Sequence, residues 1–396
     1  MKRLLTLVIC LTLLSAPAVA SATPATVHTG LPRPTGRYAV GRDVLELADH
    51  HRTDPWVPEA GARQLMVSMY YPARPGTGRP ASYMTRAEAQ LLLERKAPDA
   101  TAPPEVISGL PVHARTDARP APGPFPLVVL SPGLTLPRAT LTSLAEDLTS
   151  HGYMVALVDH TYESSGTTFP DGRTLTCAIC DQPPEGGPAA IAVSRARDIS
   201  FVLDQVTGHH AGWRYAKLID PDRIGMAGHS IGGAASATAM AADPRIRAGV
   251  NMDGTFRPAV PPTGLGGRAF LLLGTRADHA PGRDHTWDRD WPHLDGWKRW
   301  LTVAGAQHGS FTDIPILENL LGVPDSTELP AQRAVEITRT YVTAFFDLHL
   351  KSTPRPVLDD VSADNPEVAF EQPLPAPRIG YERHHGDASV AAVRSR

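Results

Sequence analysis

Cysteine is scarce in this chain, with three residues among 396, and a clear excess of charge of either sign is missing. The 38 basic and 41 acidic side chains are mixed along the chain and give a formal net charge of −3. Because no basic block stands out, nucleic acid is not an expected partner. No internal repeat is found either. Hydrophobic residues make up 42%, an ordinary share for a soluble globular protein, which argues against general disorder.

The N-terminus has the pattern of a secretory signal peptide. Two basic residues precede an apolar run over residues 4–14, and small residues that suit a signal peptidase follow it. The run is too short to cross a bilayer, so a membrane anchor is the weaker interpretation. We therefore expect a secreted protein whose signal peptide, residues 1–22, is cleaved near Ala20 or Ala22.

Two cysteines, Cys177 and Cys180, remain after that cleavage. In an exported protein a C-x-x-C pair can close a small disulfide loop. A thioredoxin-like redox motif would need a strand-to-helix turn, whereas this pair lies in a segment rich in Thr, Gly and Pro. A zinc site would need two further ligands, and no second C-x-x-C or H-x₃-H is present. The pair therefore predicts a disulfide and no metal site.

Proline (39 residues) and glycine (33) are abundant, which predicts many turns and stiff connections. Between these turns, apolar strand patterns alternate with helical patterns. Strands are predicted at 38–47, 65–71, 125–130, 153–158, 223–227, 246–252, 269–273 and 300–303, and helices at 85–96, 140–150, 189–206, 231–241 and 332–350. Continuous apolar strands separated by helices indicate an α/β fold with a mostly parallel sheet and helices on both faces.

The length would allow two domains, but the pattern favours one. Residues 97–125 are loose and proline-rich, and they look like an excursion inside one domain because the core pattern resumes directly after them. The predicted single domain covers residues 37–380. A Pro/Thr-rich lead-in over 23–36 precedes it, and a flexible tail over 381–396 follows it.

The strongest local signal is the segment Gly228-His-Ser-Ile-Gly-Gly233, which follows a strand pattern and opens a helix pattern. This is the context of a nucleophile elbow, a tight turn that lifts a serine hydroxyl clear of the sheet. Side chains two residues either side of Ser230 would collide there, which favours glycine at Gly228 and Gly232. An ordinary serine in a glycine-rich turn is the plain alternative, and the position between strand and helix argues against it.

A serine hydroxyl needs a base to take its proton, and a histidine late in the fold is expected to do so. His308 lies just past the last predicted strand and fits that position. Two carboxylates, Asp253 and Asp278, follow the two strands between the serine and this histidine. Either would hold the imidazole in its tautomer and stabilise the imidazolium. The residues alone leave both open.

Two backbone amides are expected to form the oxyanion hole. One belongs to Ile231, directly after the serine, and the other to Leu134, in the segment Ser131-Pro-Gly-Leu that follows the strand at 125–130. Gly133 permits the turn that would direct the Leu134 amide inward. This chemistry implies no metal and no organic cofactor.

Taken together, these segments resemble the plasma-type platelet-activating factor acetylhydrolases and their bacterial relatives within the α/β-hydrolase fold. The likeness is carried by residues 125–134, 228–233, 251–256 and 307–313. Since that family places its carboxylate after the strand that follows the elbow, the resemblance implies Asp253 as the acid. Pro132 is a departure, because the family commonly has histidine there. Ser-Pro-Gly also occurs in secreted bacterial lipases and polyester hydrolases of this fold.

The resemblance implies a secreted serine carboxylic-ester hydrolase that acts through an acyl-enzyme on short-acyl esters or lipids. A cutinase-like or polyester-degrading lipase is the alternative within enzymes, and a non-catalytic binding module on a hydrolase fold is the alternative outside them. The expected partner is a small-molecule or lipid ester. Apolar residues that follow His308 could make transient contact with a lipid interface, or could pack on the core instead.

Overall fold

The structure, a computed structural model, describes residues 30–207, 211–323 and 327–373. The predicted signal peptide over 1–22 and the predicted tail over 381–396 lie outside these residues. Within the described ranges, no helix is both long enough and apolar enough to span a membrane.

Strands and helices alternate through the described residues, which contain thirteen strands and ten α-helices. The strands are β1 (Ala39–Thr53), β2 (Ala62–Ala73), β3 (Arg79–Pro80), β4 (Arg115–Thr116), β5 (Phe125–Ser131), β6 (Met154–His160), β7 (Thr167–Thr168), β8 (Thr174–Leu175), β9 (Ile219–His229), β10 (Ile246–Met252), β11 (Ala269–Thr275), β12 (Lys298–Val303) and β13 (Val368–Phe370). The helices are α1 (Arg86–Lys96), α2 (Glu105–Ser108), α3 (Thr142–Ser150), α4 (Ala178–Asp181), α5 (Gly187–Thr207), α6 (Ile231–Ala242), α7 (Arg276–His279), α8 (His285–Asp290), α9 (Ile314–Leu320) and α10 (Ala331–Lys351).

Eleven of the described strands form one sheet, in the order β13-β12-β11-β10-β9-β5-β6-β2-β1-β4-β3. Its central block, from β12 to β6, is parallel throughout. Toward the edges, β13 pairs antiparallel with β12, and β2 pairs antiparallel with both β6 and β1. The prediction of a mostly parallel sheet is confirmed.

Both faces of the sheet are apolar. In β5, Leu127 and Val129 belong to one buried cluster, which also contains residues of α5 and α6. Val128 and Leu130 point the other way and belong to a second cluster, which contains residues of α3 and α10. Each fully buried side chain of this kind contributes on the order of 1.5–3 kcal/mol to folding. The strands are continuous apolar runs because helices cover both faces.

The register of the parallel block gathers the candidate site at one edge of the sheet. Met252, the last residue of β10, pairs with His229 of β9 on one side and with Leu273 of β11 on the other. The carboxyl ends of these strands therefore lie side by side. Residues that follow them become neighbours in space although they are distant in sequence, as is usual for ligand sites of open α/β sheets.

The structure adds short elements that the sequence does not predict. α2 and β4 fall within the segment predicted as loose, and β13 falls within the proline-rich C-terminal part of the chain. β13 has only three residues, too few to show the period of two that identifies a strand in sequence. Its pairing with β12 depends on tertiary structure, so a local pattern does not reveal it.

Candidate active site

Ser230 lies at the turn between β9 and α6. Its backbone has φ 56° and ψ −123°, outside the regions that residues with a side chain commonly adopt. Such a conformation costs on the order of 1–3 kcal/mol and persists only where the surroundings hold it. Here the Ser230 amide donates to the Met252 carbonyl oxygen at 2.8 Å, and the Ser230 carbonyl oxygen accepts from the Ala234 amide at 3.0 Å.

The glycines around Ser230 are required by close backbone contacts. A Cβ at Gly228 would lie 2.1 Å from the Gly232 carbonyl carbon, and a Cβ at Gly232 would lie 2.1 Å from the Ser131 carbonyl oxygen. Both distances are far below van der Waals contact, and backbone atoms cannot turn aside as a flexible side chain can. The pattern Gly-x-Ser-x-Gly is therefore a steric requirement of this turn.

Asp253 directly follows β10 and also has a positive φ, 58°. Its amide donates to the Leu273 carbonyl oxygen at 2.9 Å. The Asn251 side chain closes this turn, because Oδ1 accepts from the Gly254 amide at 2.9 Å and Nδ2 donates to the Gly254 carbonyl oxygen at 2.7 Å. The carboxylate is held as well, since its Oδ1 accepts from the Thr275 amide at 2.6 Å.

His308 contacts this carboxylate. Nδ1 of His308 lies 2.6 Å from Oδ2 of Asp253, across 55 residues of sequence. The Asp253 side chain is 1% exposed and the His308 side chain 56%, so a buried carboxylate supports an imidazole that reaches solvent. Burial acts to raise the pKa of Asp253, but His279 and His308 outweigh burial and hold that pKa well below its usual range. Asp253 is therefore ionised at neutral pH and accepts the Nδ1–H of His308.

Asp278, the other candidate acid, has a different environment. It is exposed, on α7 directly after β11. Its amide donates to the Thr275 hydroxyl, and that hydroxyl donates to Oδ2 of Asp278, both at 3.3 Å. These are contacts of a helix N-terminus. Of the two carboxylates left open by the residue pattern, the structure brings Asp253, and not Asp278, to His308.

His229, the residue before the serine, is a contact that sequence reasoning missed. Its Nε2 lies 2.7 Å from the His308 carbonyl oxygen, and the two ring centroids are 4.6 Å apart. Burial and the neighbouring His308 lower the pKa of His229 to about 3, so the ring is neutral near pH 7. Because a carbonyl oxygen only accepts, we place the single ring proton on Nε2. His229 thus holds the backbone that carries the His308 side chain.

The Leu134 and Ile231 amides are available, as an oxyanion hole requires. Neither amide donates to an acceptor within the part of the chain that the structure describes. Ile231 is the first residue of α6, and the first amides of a helix have no partner inside it. A Cβ at Gly133 would lie 2.8 Å from Nδ1 of His229. This glycine therefore lets residues 131–134, the predicted oxyanion loop, pass close to the serine turn.

A buried polar cluster supports the oxyanion loop. Ser131 Oγ lies 2.9 Å from Nε2 of His160, whose Nδ1 lies 2.8 Å from Oδ2 of Asp198. Arg195 donates to Ser131 Oγ at 3.1 Å and also to the Pro132 carbonyl oxygen. These side chains are almost fully excluded from solvent. Removal of one partner would leave a buried polar or charged group without compensation, so the cluster restricts the loop to one arrangement.

Cys177 and Cys180 are joined by a disulfide, with sulfur atoms 2.06 Å apart. Cys177 packs in a small apolar cluster with Ile179 and Ile191, and the side chains of Cys180 and Ile231 pack against it. Because Ile231 directly follows the candidate nucleophile, the disulfide loop forms an apolar wall beside the serine turn.

A separate cavity beside α3 and α10 does not belong to the site. This cavity has a volume of about 840 Å³ and is lined in part by residues of α3 and α10. None of its lining residues belongs to the turns that carry Ser230, Asp253 or His308. Within the described ranges, no group of three or more His, Cys, Asp or Glu side chains is arranged to hold a metal ion. The candidate site is the cluster of side chains at the strand ends.

Comparison with known proteins identifies the family. The sequence matches the family described as platelet-activating factor acetylhydrolase, isoform II, over residues 24–172 and 212–353. The chain belongs to this family. The matched residues include Ser230, Asp253 and His308, and the resemblance inferred from the sequence is confirmed.

Similar proteins agree with the family. A probable 1-alkyl-2-acetylglycerophosphocholine esterase of Arthroderma benhamiae is 30% identical, with 90% of this chain and 97% of that protein aligned. A solved structure of a ferulic acid esterase from Streptomyces cinnamoneus has a TM-score of 0.79 and 42% identity, covering 87% of this chain and 99% of that one. A bis(hydroxyethyl) terephthalate hydrolase of Streptomyces coelicolor is 28% identical over 40% of this chain and 44% of that protein.

This member of the platelet-activating factor acetylhydrolase family therefore has the α/β-hydrolase fold, and it is a carboxylic ester hydrolase of the serine type. Its substrates are small-molecule esters. The predicted fold and enzyme class are confirmed, and they decide against a non-catalytic binding module.

Proposed function

We propose that Ser230, Asp253 and His308 form the catalytic triad of this ester hydrolase. The observation that carries the proposal is the 2.6 Å contact between His308 Nδ1 and Asp253 Oδ2, at the strand end beside the serine turn. When an ionised carboxylate holds Nδ1–H, the unprotonated nitrogen is Nε2, which can accept the proton of a serine hydroxyl. The strained serine backbone and the free amides of the oxyanion hole support the same assignment.

The reaction follows from these roles. Nε2 of His308 takes the Ser230 hydroxyl proton while the serine oxygen attacks the ester carbonyl carbon, and the π electrons of that carbonyl move onto its oxygen. Collapse of the tetrahedral intermediate expels the alcohol, which receives the proton from His308 and leaves Ser230 acylated. Water then loses a proton to His308 and attacks the acyl group. The second collapse releases the carboxylic acid, and His308 returns the proton to Ser230.

Two electrostatic contributions lower the barrier. The Leu134 and Ile231 amides would donate to the oxyanion, and each such donor is worth roughly 3 kcal/mol in the transition state. Asp253 stabilises the imidazolium that forms on His308, and its burial strengthens that attraction because little water screens it. The oxyanion donors act on the transition state more than on the bound ester, so they raise kcat rather than affinity.

We further propose an ester with an aromatic or short acyl group as the substrate. The ferulic acid esterase shares 42% identity with this chain, whereas the acetylglycerophosphocholine esterase shares 30%. The apolar wall formed by the disulfide cluster and the Ile231 side chain could receive a flat acyl group. The exposure of His308 leaves room for a bulky leaving alcohol.

A substrate panel tests this preference. We expect methyl ferulate and p-nitrophenyl acetate to show kcat/KM values at least about tenfold above that of p-nitrophenyl octanoate, because a short apolar wall gives a long chain little surface to bury. A phospholipid with an sn-2 acetyl group, presented in vesicles, and bis(hydroxyethyl) terephthalate complete the panel. The highest kcat/KM on the vesicle phospholipid would contradict the aromatic or short-acyl preference and favour a lipid substrate. The highest value on the terephthalate ester would favour the polyester-type alternative.

Export of the protein, with cleavage near Ala20 or Ala22, remains a prediction from the sequence. The disulfide between Cys177 and Cys180 is consistent with an oxidising compartment. Contact with a lipid interface also remains a prediction. The apolar residues that follow His308 form α9, where Ile316 and Leu317 are buried in a cluster with residues of α1 and α10.

A further inference from the structure

We propose that His279 is a positioning residue for the triad, which fixes the Asp253 carboxylate and whose positive charge favours the neutral form of His308 that acts as a base. This inference rests on the proposed triad, because it assigns a role to a group that touches the acid rather than the substrate. Nothing in the sequence pattern marks His279, which lies in a polar segment between two strands.

His279 is the last residue of α7, and its side chain packs against Gly274 near the end of β11. The side chain is 6% exposed. A Cβ at Gly274 would lie 2.7 Å from the His279 Cβ, so the absence of a side chain at Gly274 makes room for the imidazole. The ring packs on Trp287 with centroids 4.3 Å apart, and Trp300 Nε1 donates to the His279 carbonyl oxygen at 2.7 Å. The imidazole is therefore held in one place by packing.

The imidazole lies between two carboxylates. Its Nδ1 is 3.0 Å from Oδ1 of Asp253, and its Nε2 is 3.3 Å from Oδ2 of Asp284. Neither nitrogen is well aligned for a linear hydrogen bond, so the attraction is mainly between charges. Asp284 is fixed in turn, because it accepts from the Thr286 amide and hydroxyl at 2.7 Å and from the Thr255 hydroxyl at 3.0 Å.

The charges around His279 make it a cation. Burial acts to lower its pKa, but the two carboxylates outweigh burial and raise that pKa to about 9. Asp253 approaches from the end of β10 and Asp284 from the start of α8, where Arg289 also acts on Asp284. On α7 itself, Arg276 is exposed. Asp278 on α7 is exposed as well, and the His229 ring that faces His308 is neutral.

A series Asp284–His279–Asp253–His308 results, with alternating charge when His308 is protonated. The His279 cation and His308 contact the two oxygens of the same Asp253 carboxylate. A nearby positive charge disfavours the protonated form of the His308 imidazole. It therefore favours the neutral imidazole, which is the form of His308 that acts as a base. It also compensates the buried Asp253 and Asp284, which would otherwise repel each other, and it holds Oδ1 of Asp253 so that Oδ2 stays directed at His308.

The pH profile of kcat/KM tests the inference, with p-nitrophenyl acetate as substrate. His279→Gln removes the charge and keeps a polar side chain, and we expect the midpoint of the acidic limb to rise by about one pH unit. We also expect kcat at the optimum to fall about tenfold, with KM little changed, because the acid is less well fixed. His285→Gln is the matched control, since His285 is exposed and six residues away; its profile should equal that of the parent protein.

A second variant separates charge from structure. Asp284→Asn removes a negative charge from the far side of His279, so its acidic limb should move to lower pH, opposite to that of His279→Gln and by a smaller amount. The inference would be overturned if the midpoint of the acidic limb of the kcat/KM profile did not change in His279→Gln. It would also be overturned if that midpoint moved in the same direction in both variants. If His279→Gln fails to fold, a limb in Asp284→Asn that does not move to lower pH would overturn it alone.

Labelling of the same preparations with a fluorophosphonate distinguishes a failure of the proposed triad from a failure of the proposed role of His279. Label on Ser230 of the parent protein, together with an unchanged limb in His279→Gln, would reject the role of His279 and leave the triad intact. A parent protein that hydrolyses esters without label on Ser230 would reject the triad itself.

Discussion

Replacement of Ser230 by alanine is expected to lower kcat by about 10⁵- to 10⁶-fold, the loss typical of a missing catalytic serine. The reason is that the two amides of the proposed oxyanion hole and the binding surface remain, but no atom is left to form the acyl-enzyme. The variant should fold, because alanine keeps the Cβ and the serine hydroxyl makes no hydrogen bond within the described residues that the turn depends on.

Initial rates with p-nitrophenyl acetate, measured beside thermal unfolding, check this result. Ser362→Ala serves as the control, since Ser362 is partly exposed and lies near the C-terminal end of the described chain, far along the sequence from the strand ends. A folded Ser230→Ala protein that retains more than about a hundredth of the parent kcat would contradict the assignment of the nucleophile.

Asp253→Asn is expected to lower kcat by about 10⁴-fold, as removal of the acid does in other serine hydrolases. An amide can offer its NH₂ to His308 Nδ1 and thereby favour the tautomer whose Nε2 is already protonated, and that nitrogen cannot accept the serine proton. The loss should also exceed that expected from geometry alone, because an uncharged side chain no longer stabilises the imidazolium in the transition state.

Asp278→Asn is the matched control for this prediction, because the same change is made after the neighbouring strand. Asp278 is exposed and contacts Thr275 rather than His308, so its kcat should stay within about threefold of the parent value. A larger loss of kcat in Asp278→Asn than in Asp253→Asn, with both proteins folded, would contradict the assigned acid.

The turn that carries Ser230 could be predicted from the sequence because its constraints are local. The strand pattern, the two flanking glycines and the small-residue helix are all within about twenty residues, and the 2.1 Å approaches at Gly228 and Gly232 show why no larger residue fits. The alternation of apolar strands and helices likewise predicts the parallel sheet, because strands that are buried on both faces consist of nearly continuous apolar residues.

The choice between Asp253 and Asp278 could not be made from the residues alone. Both follow strands that end at the same edge of the sheet, and sequence spacing does not say which side chain points toward His308. The structure distinguishes them by backbone geometry. Asp253 has a positive φ, and the Asn251 side chain closes its turn through two hydrogen bonds to the Gly254 backbone, so the Asp253 carboxylate is directed toward His308. The family resemblance implies the same acid.

The contacts of His229, His279 and the cluster behind the oxyanion loop were missed for a physical reason. Arg63 illustrates it, because this buried guanidinium donates to Asp198 across 135 residues of sequence and to Glu163 across 100. Nothing periodic or local accompanies such pairs, whose partners meet only once the sheet has formed. A buried charge that looks like an ordinary polar residue in sequence therefore gives no signal until its partners are known.

Covalent labelling tests whether Ser230 is the nucleophile that forms the acyl-enzyme. Incubation with a fluorophosphonate, followed by peptide mass analysis, should place one label per chain on the peptide that contains Ser230, and ester hydrolysis should fall in proportion to the labelled fraction. Label on a different residue with loss of activity, or full activity in a protein labelled at Ser230, would contradict the role of Ser230 as the nucleophile.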